Sequence, residues 1–291
     1  MTRREVLVGT AASAFLHAAK PRPVLCIFSK HLAKLSWDDL GKTAKRMGFE
    51  GIDLTVRKGG HVLPERAAED LPKAVEVLHG HGLSVPMITT ELTSGADPTA
   101  RPILSTASKL KIPRYKIGYY TYKDDNVEAA LRQVRASVAS LVSVGTAEHM
   151  EAGYHNHSGN HVGEAVWDIR AIISDMDPRW IGYYFDPCHA TAEGGVYGWH
   201  ASLDLAVTRL KMMAVKDFYW EKSGGQWKMK MCPLGQGMVD WHAVFGRLAA
   251  VDYTGPISLH LEYKPPDEQA AIARDFATLK QYVAQAYGGT V

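Results

Sequence analysis

Four short stretches set carboxylates and imidazoles at spacings that can converge on one substrate or ion: Glu151-x-Gly153-x-His155-x-His157, Asp186-Pro187-Cys188-His189, Lys216-Asp217 and His260-x-Glu262. In an extended chain side chains alternate, so a spacing of two sends Glu151, His155 and His157 to one face and aligns His260 with Glu262. Asp186 and His189, three apart, meet where the chain turns. Mixed nitrogen and oxygen donors arriving from separate segments suit a divalent ion. Such an ion would polarise a carbonyl or a hydroxyl. An unperturbed histidine titrates at about 6.5, which makes His157 and His189 candidate proton carriers near neutral pH. Lys216 is a third candidate, placed to steady a substrate oxygen or a neighbouring carboxylate.

These groups need a scaffold, and the chain alternates two kinds of segment. Apolar runs at 24–28, 51–54, 84–88, 115–118, 153–155, 181–185, 211–215 and 257–261 read as buried strands. Helical patterns at 37–47, 65–81, 99–110, 127–144, 164–174, 203–209, 241–250 and 267–287 lie between them, the first behind a Ser36 cap. Eight strand–helix units predict an α/β fold, a single (β/α)8 TIM barrel, whose polar groups at the strand C-terminal ends share one mouth. Any one of the four sets alone reads as a buried polar group with a partner; four at four matching strand ends read as a site. Arg57 and His61 after the second strand and Lys116 in the fourth face the same mouth, with His260, as candidate substrate contacts. Glu91 reads as rim solvation. The segment 220–233, with Ser223-Gly224-Gly225 at its centre, reads as a hairpin-like loop over the mouth. No G-x-G-x-x-G follows the first strand, which argues against a dinucleotide-binding sheet.

Composition narrows the partners. With 46% hydrophobic and 22% charged residues in 291, the chain has material for a large core, which excludes a disordered or collagen-like protein. A net charge of +2 without a basic run argues against nucleic acid. Cys26, Cys188 and Cys232 are too few and too scattered for a disulfide framework or a C-x-x-C zinc site. Residues 1–20 carry Arg3-Arg4 before an apolar, small-residue run, the pattern of a twin-arginine-type signal peptide, too short for stable membrane insertion. The mature domain is then expected over 21–291, exported to the periplasm; an amphipathic first helix of a cytoplasmic protein is the alternative.

Beyond these patterns, Phe49-Glu50-Gly51-Ile52-Asp53-Leu54, Gly153-Tyr154-His155-Asn156-His157, Phe185-Asp186-Pro187-Cys188-His189, Val215-Lys216-Asp217, Pro233-Leu234-Gly235-Gln236-Gly237-x-Val239-Asp240 and Ile257-Ser258-Leu259-His260-x-Glu262-Tyr263 together resemble the xylose-isomerase-like barrel superfamily of sugar phosphate isomerases and epimerases. The resemblance implies a (β/α)8 barrel with a divalent metal (Mn, Zn, Mg or Co) at its mouth. It aligns Glu262 and Asp186 with metal carboxylates, His155 with a position that is Glu in epimerases, and His189 with a substrate- or metal-contacting histidine. It also aligns Ala214 with a metal histidine, so one ligand of the expected set is missing.

Together these readings predict a metal-dependent isomerase or epimerase that removes a proton next to a carbonyl. An exported enzyme would meet a free sugar or polyol derivative, neutral or oxidised, as its small-molecule partner; a homo-oligomer is compatible with this. A lyase or dehydratase of a keto-sugar or cyclic polyol is the second reading, and a carbohydrate-binding protein on a degenerate barrel is the third.

Overall fold

The computed structural model describes residues 21–123 and 126–288; the signal-like segment 1–20 lies outside the described residues. Eight parallel strands close a barrel in the spatial order β1-β10-β7-β6-β5-β4-β3-β2. They are β1 Leu25–Phe28, β2 Gly51–Val56, β3 Ser84–Thr90, β4 Arg114–Lys116, β5 Glu151–His155, β6 Ile181–Phe185, β7 Leu210–Val215 and β10 Ile257–Leu259. Each overlaps a predicted apolar run, and the strands are buried on both faces, by helices outside and by packed side chains inside the barrel. The helices are α1 Trp37–Met47, α2 Ala67–Gly80, α3 Ala100–Lys109, α4 Val127–Ala147, α5 Val166–Ile173, α6 Pro187–Val207, α7 Trp241–Ala250 and α8 Glu268–Tyr287. Ser36 caps α1 as predicted, accepting from Asp39 N at 3.1 Å.

One helix starts far earlier than its pattern suggests. The sequence reading begins α6 at residue 203, whereas the structure begins it at Pro187, with Gly195 at φ 58° breaking it midway. The start is built by Asp186, whose carboxylate accepts from Cys188 N and His189 N while Pro187 sits where no donor is needed. Glycines 194, 195 and 198 mask this helix in the sequence.

Two further strands stand outside the barrel. β8 Asp217–Ser223 and β9 Gln226–Cys232 pair antiparallel across Gly224-Gly225, the hairpin expected over 220–233. Both turn glycines have positive φ, 60° and 78°, as a two-residue hairpin turn demands. Asp217 clamps this hairpin to the barrel. Its carboxylate accepts from the backbone N–H groups of Phe218, Gly235, Gly237 and Val239 and from Trp241 Nε1, at 2.9–3.3 Å. A Cβ on Gly237 would lie 2.1 Å from Asp217 Oδ1, which explains the glycine. Replacing Asp217 by Ala leaves these buried donors unpaired, and a loss of about 3 kcal/mol is expected in a urea titration. Among the described residues, no helix is long and apolar enough to cross a membrane.

The barrel interior holds Met87, Tyr184, Met212 and Ala214 as a small packed cluster. Gly153 is part of this arrangement, since a Cβ there would fall 1.9 Å from Met212 Cε.

Candidate active site at the barrel mouth

The strand C-terminal ends open on a cavity with an empty volume of about 500 Å³. Its wall carries four basic side chains, Lys30, Arg57, Lys116 and Lys216, with His155, His157 and His260 between them. Glu262 is the one carboxylate on this wall among the described residues.

Asp186 is fully buried at the floor, just behind the wall. Its Oδ2 lies 3.1 Å from Lys216 Nζ, 3.2 Å from His155 Nε2 and 3.7 Å from His189 Nε2. Burial by itself would raise the carboxyl pKa, but the Lys216 ammonium and the adjacent imidazoles outweigh it and hold Asp186 well below its ordinary range. Burial would likewise lower Lys216, and Asp186 reverses this, so the lysine is held charged. The neighbouring imidazoles go the other way. Burial pushes His155 down to about 3 and His157 to about 4, with Lys216 adding to the effect at His157. Burial and Lys216 also push His189 far down. A charged Lys216–Asp186 pair therefore sits among neutral histidines. Neutral His155 faces the ionised Asp186 carboxylate with Nε2, which therefore carries the proton, and its Nδ1 accepts from Tyr119 OH at 2.7 Å.

This arrangement does not fit the predicted metal ligands. His155, Asp186 and Glu262 do not gather: the Asp186 carboxylate already holds an ammonium, and Glu262 Oε1 lies 3.2 Å from Lys30 Nζ instead. Ala214, at the position of the missing ligand, packs in the interior cluster with Met87, Tyr184 and Met212. The donors that do gather among the described residues are His31, His260 and Glu262, with one ligand atom from each lying within 4.8 Å of the others.

Lys116 ends β4 and is 2% exposed. Its Nζ stands 3.4 Å from the centre of the Tyr119 ring and makes no ion pair among the described residues. Burial, reinforced by the Arg57 charge, lowers its pKa to about 7 against the pull of Asp53 and Glu91. Two buried lysines in one cavity thus differ in charge state because only one has a carboxylate beside it.

Below the cavity, Asp53 is fully buried on β2. It accepts from Thr89 Oγ1 at 2.7 Å, Ser258 Oγ at 2.8 Å and Tyr184 OH at 3.2 Å. Burial raises its pKa to about 6 despite these donors, so it is mostly ionised at neutral pH. Since Tyr184 donates to Asp53, it accepts from His260 Nε2, 3.0 Å away, and His260 keeps its lone pair on Nδ1. Tyr184→Phe removes one donor from a buried carboxylate and frees His260; a stability loss of about 1–3 kcal/mol is expected by thermal or urea unfolding.

The other predicted residues divide. Arg57 lines the cavity, its guanidinium 5.6 Å above the Phe28 ring. His157 lines it as well, while His189 stands behind, with ring centres 4.0 Å apart and His189 Nδ1 at 3.0 Å from Ser158 Oγ. His61 is not on the cavity wall; its backbone N–H donates to Thr55 Oγ1 and its carbonyl accepts from Trp37 Nε1, so it fastens the loop after β2. Sequence reasoning did not single out His31, which follows β1 in a 3-10 turn over Ser29–Leu32. Its position at a strand C-terminal end was the available signal.

The comparisons agree with this fold. The chain is similar in structure to 3-keto-D-glucoside 4-epimerase YcjR of E. coli, with 14% identity over 89% of this chain and 100% of that one, and a TM-score of 0.69. It is similar to a xylose isomerase-like TIM barrel protein from Mycobacterium smegmatis in complex with magnesium, with 15% identity, 92% and 98% coverage and a TM-score of 0.68. It is also similar to the probable 3-DHS dehydratase AsbF of Bacillus anthracis, with 14% identity, 88% and 98% coverage and a TM-score of 0.66. These likenesses establish the fold. No curated protein sequence matches significantly. The pattern of the xylose isomerase-like TIM barrel family matches residues 42–282, and the chain belongs to that family.

Proposed function

We propose that the barrel mouth transfers protons at a carbon next to a carbonyl in a free sugar or polyol derivative, as an isomerase or epimerase. The observation that carries this reading is the division of charge between Lys216, held as an ammonium by Asp186, and Lys116, which has no carboxylate and titrates near 7. Paired groups whose environments push their pKa values apart are the mark of acid and base roles. Lys216, fixed on the cavity wall, donates to the substrate oxygen as negative charge develops on it. The Lys116 amine takes the proton from carbon and returns it, and neutral His157 serves the opposite face. Three cations, Lys30, Arg57 and Lys216, against one carboxylate on the wall favour a substrate with an oxidised, acidic group. The likeness in fold to a 3-keto-D-glucoside 4-epimerase and the family membership support this chemistry.

A second reading, a lyase, is favoured by one feature: no second carboxylate faces Glu262 across the cavity among the described residues. β-Elimination needs only one base and an acid for the leaving group. Incubating the protein with keto-sugars, keto-glycosides and keto-acids, and reading products by NMR, separates the cases. An epimer or aldose–ketose pair supports the isomerase reading, a dehydrated product the lyase, and no product from any of them counts against both.

A further inference from the structure

Lys216 holds the Asp186 carboxylate, and a second set of donors stands on the same rim. From this geometry we infer that the protein binds a first-row divalent transition-metal ion through His31, His260 and Glu262, on the β1 and β10 side of the barrel. Two imidazoles and one carboxylate form a donor set used by zinc and related ions. One ligand atom from each lies within 4.8 Å of the other two.

Three independent features support it. His31 Nε2 is buried and has no hydrogen-bond partner, which is costly unless something else engages the ring. The buried Asp53–Tyr184 relay orients His260, holding its proton on Nε2 and its lone pair on Nδ1; a carboxylate-backed hydrogen bond of this kind is how ligating histidines are fixed. The cation now at Glu262 is Lys30, whose side chain is 44% exposed and can swing into water. Lys216 is 4% exposed and cannot leave Asp186 without stranding both charges. An arriving ion therefore displaces Lys30 at Glu262 more readily than Lys216 at Asp186.

The test is metal binding itself, independent of any turnover. The full chain, stripped with chelator, is titrated with Co²⁺, following its visible absorption, and then with Zn²⁺ as competitor. Wild type is expected to bind one equivalent. His31→Ala should weaken binding by about 100-fold or more, and Tyr184→Phe by about 10–100-fold. His31→Asp, which keeps a donor, should retain most of it. Asp186→Asn should bind as wild type does. Circular dichroism melts confirm that each variant is folded. Absence of Co²⁺ binding by wild type would overturn the inference, as would binding that survives His31→Ala but is lost in a folded Asp186→Asn. The latter result would place the ion on Asp186.

Discussion

Replacing Lys216 by methionine is expected to cost the fold about 3–5 kcal/mol, because it strips a fully buried carboxylate of its partner. Asp186 has no access to water, and its remaining neighbours are neutral imidazoles and two backbone N–H groups. In the variant its carboxyl takes up a proton and loses its depressed pKa. The sign follows from linkage. In wild type the depressed Asp186 adds stability above its unfolded value of about 3.9, lost as pH falls through the folded value. The raised Lys216 adds stability below its unfolded value of about 10.4, lost as pH rises through the folded value. Wild-type stability should thus carry a gain between these limits that disappears in Lys216→Met. Activity should drop by about 10²–10³ with the loss of one fixed oxyanion donor. The double variant Lys216→Met/Asp186→Asn, which removes both charges and keeps the side-chain cap of α6, should regain part of the stability and none of the activity. Urea unfolding and steady-state rates, measured together, check both halves.

The second large effect concerns Lys116, and it runs in opposite directions for stability and rate. A lysine whose pKa falls to about 7 on burial destabilises the fold where the unfolded chain would be charged. That cost is full below pH 7 and fades as pH rises toward the unfolded value of about 10.4, so stability increases through this window. Lys116→Met removes the cost and is expected to raise the melting temperature at pH 6–7. The same substitution removes the base, and a fall in kcat of about 10²–10⁴ is expected. In wild type the rate should rise with an apparent pKa near 7 and level off above it. A Lys116→Met variant that keeps this rising limb would assign it to another group.

Most of the scaffold is legible in the sequence because each barrel strand is buried on both faces and reads as a short apolar run between punctuating glycines or prolines. Ser36 and Gly48 frame α1 for local reasons that need no tertiary context: a cap acceptor and a positive φ of 91°. The early start of α6 is hidden because three glycines dilute its helical pattern, while Asp186 and Pro187, which begin it, read equally well as a turn. At the site, period-two spacing and strand-end position locate Lys216, His155, His157, His260 and Glu262, five of the residues lining the cavity. Pairings escape the same reasoning. Nothing local says that Asp186 will meet Lys216 rather than Glu262, because that depends on which strands are neighbours and how far each side chain reaches. The Asp53–Tyr184–His260 relay joins β2, β6 and the end of β10 across the barrel interior, so only the closed structure reveals it. His61 shows the converse error: a polar residue in a mouth loop whose backbone serves the loop itself.

The most direct test of the proposed chemistry is to incubate the protein in deuterium oxide with the keto-sugar it turns over, or with a panel of keto-sugars if none is known, and follow the proton next to the carbonyl by NMR. Exchange of that proton, fast in wild type and reduced at least about 10²-fold in both Lys116→Met and Lys216→Met, is the expected result. Exchange that persists unchanged in both variants, or product formed without any deuterium entering at that carbon, would contradict proton transfer by the two lysines.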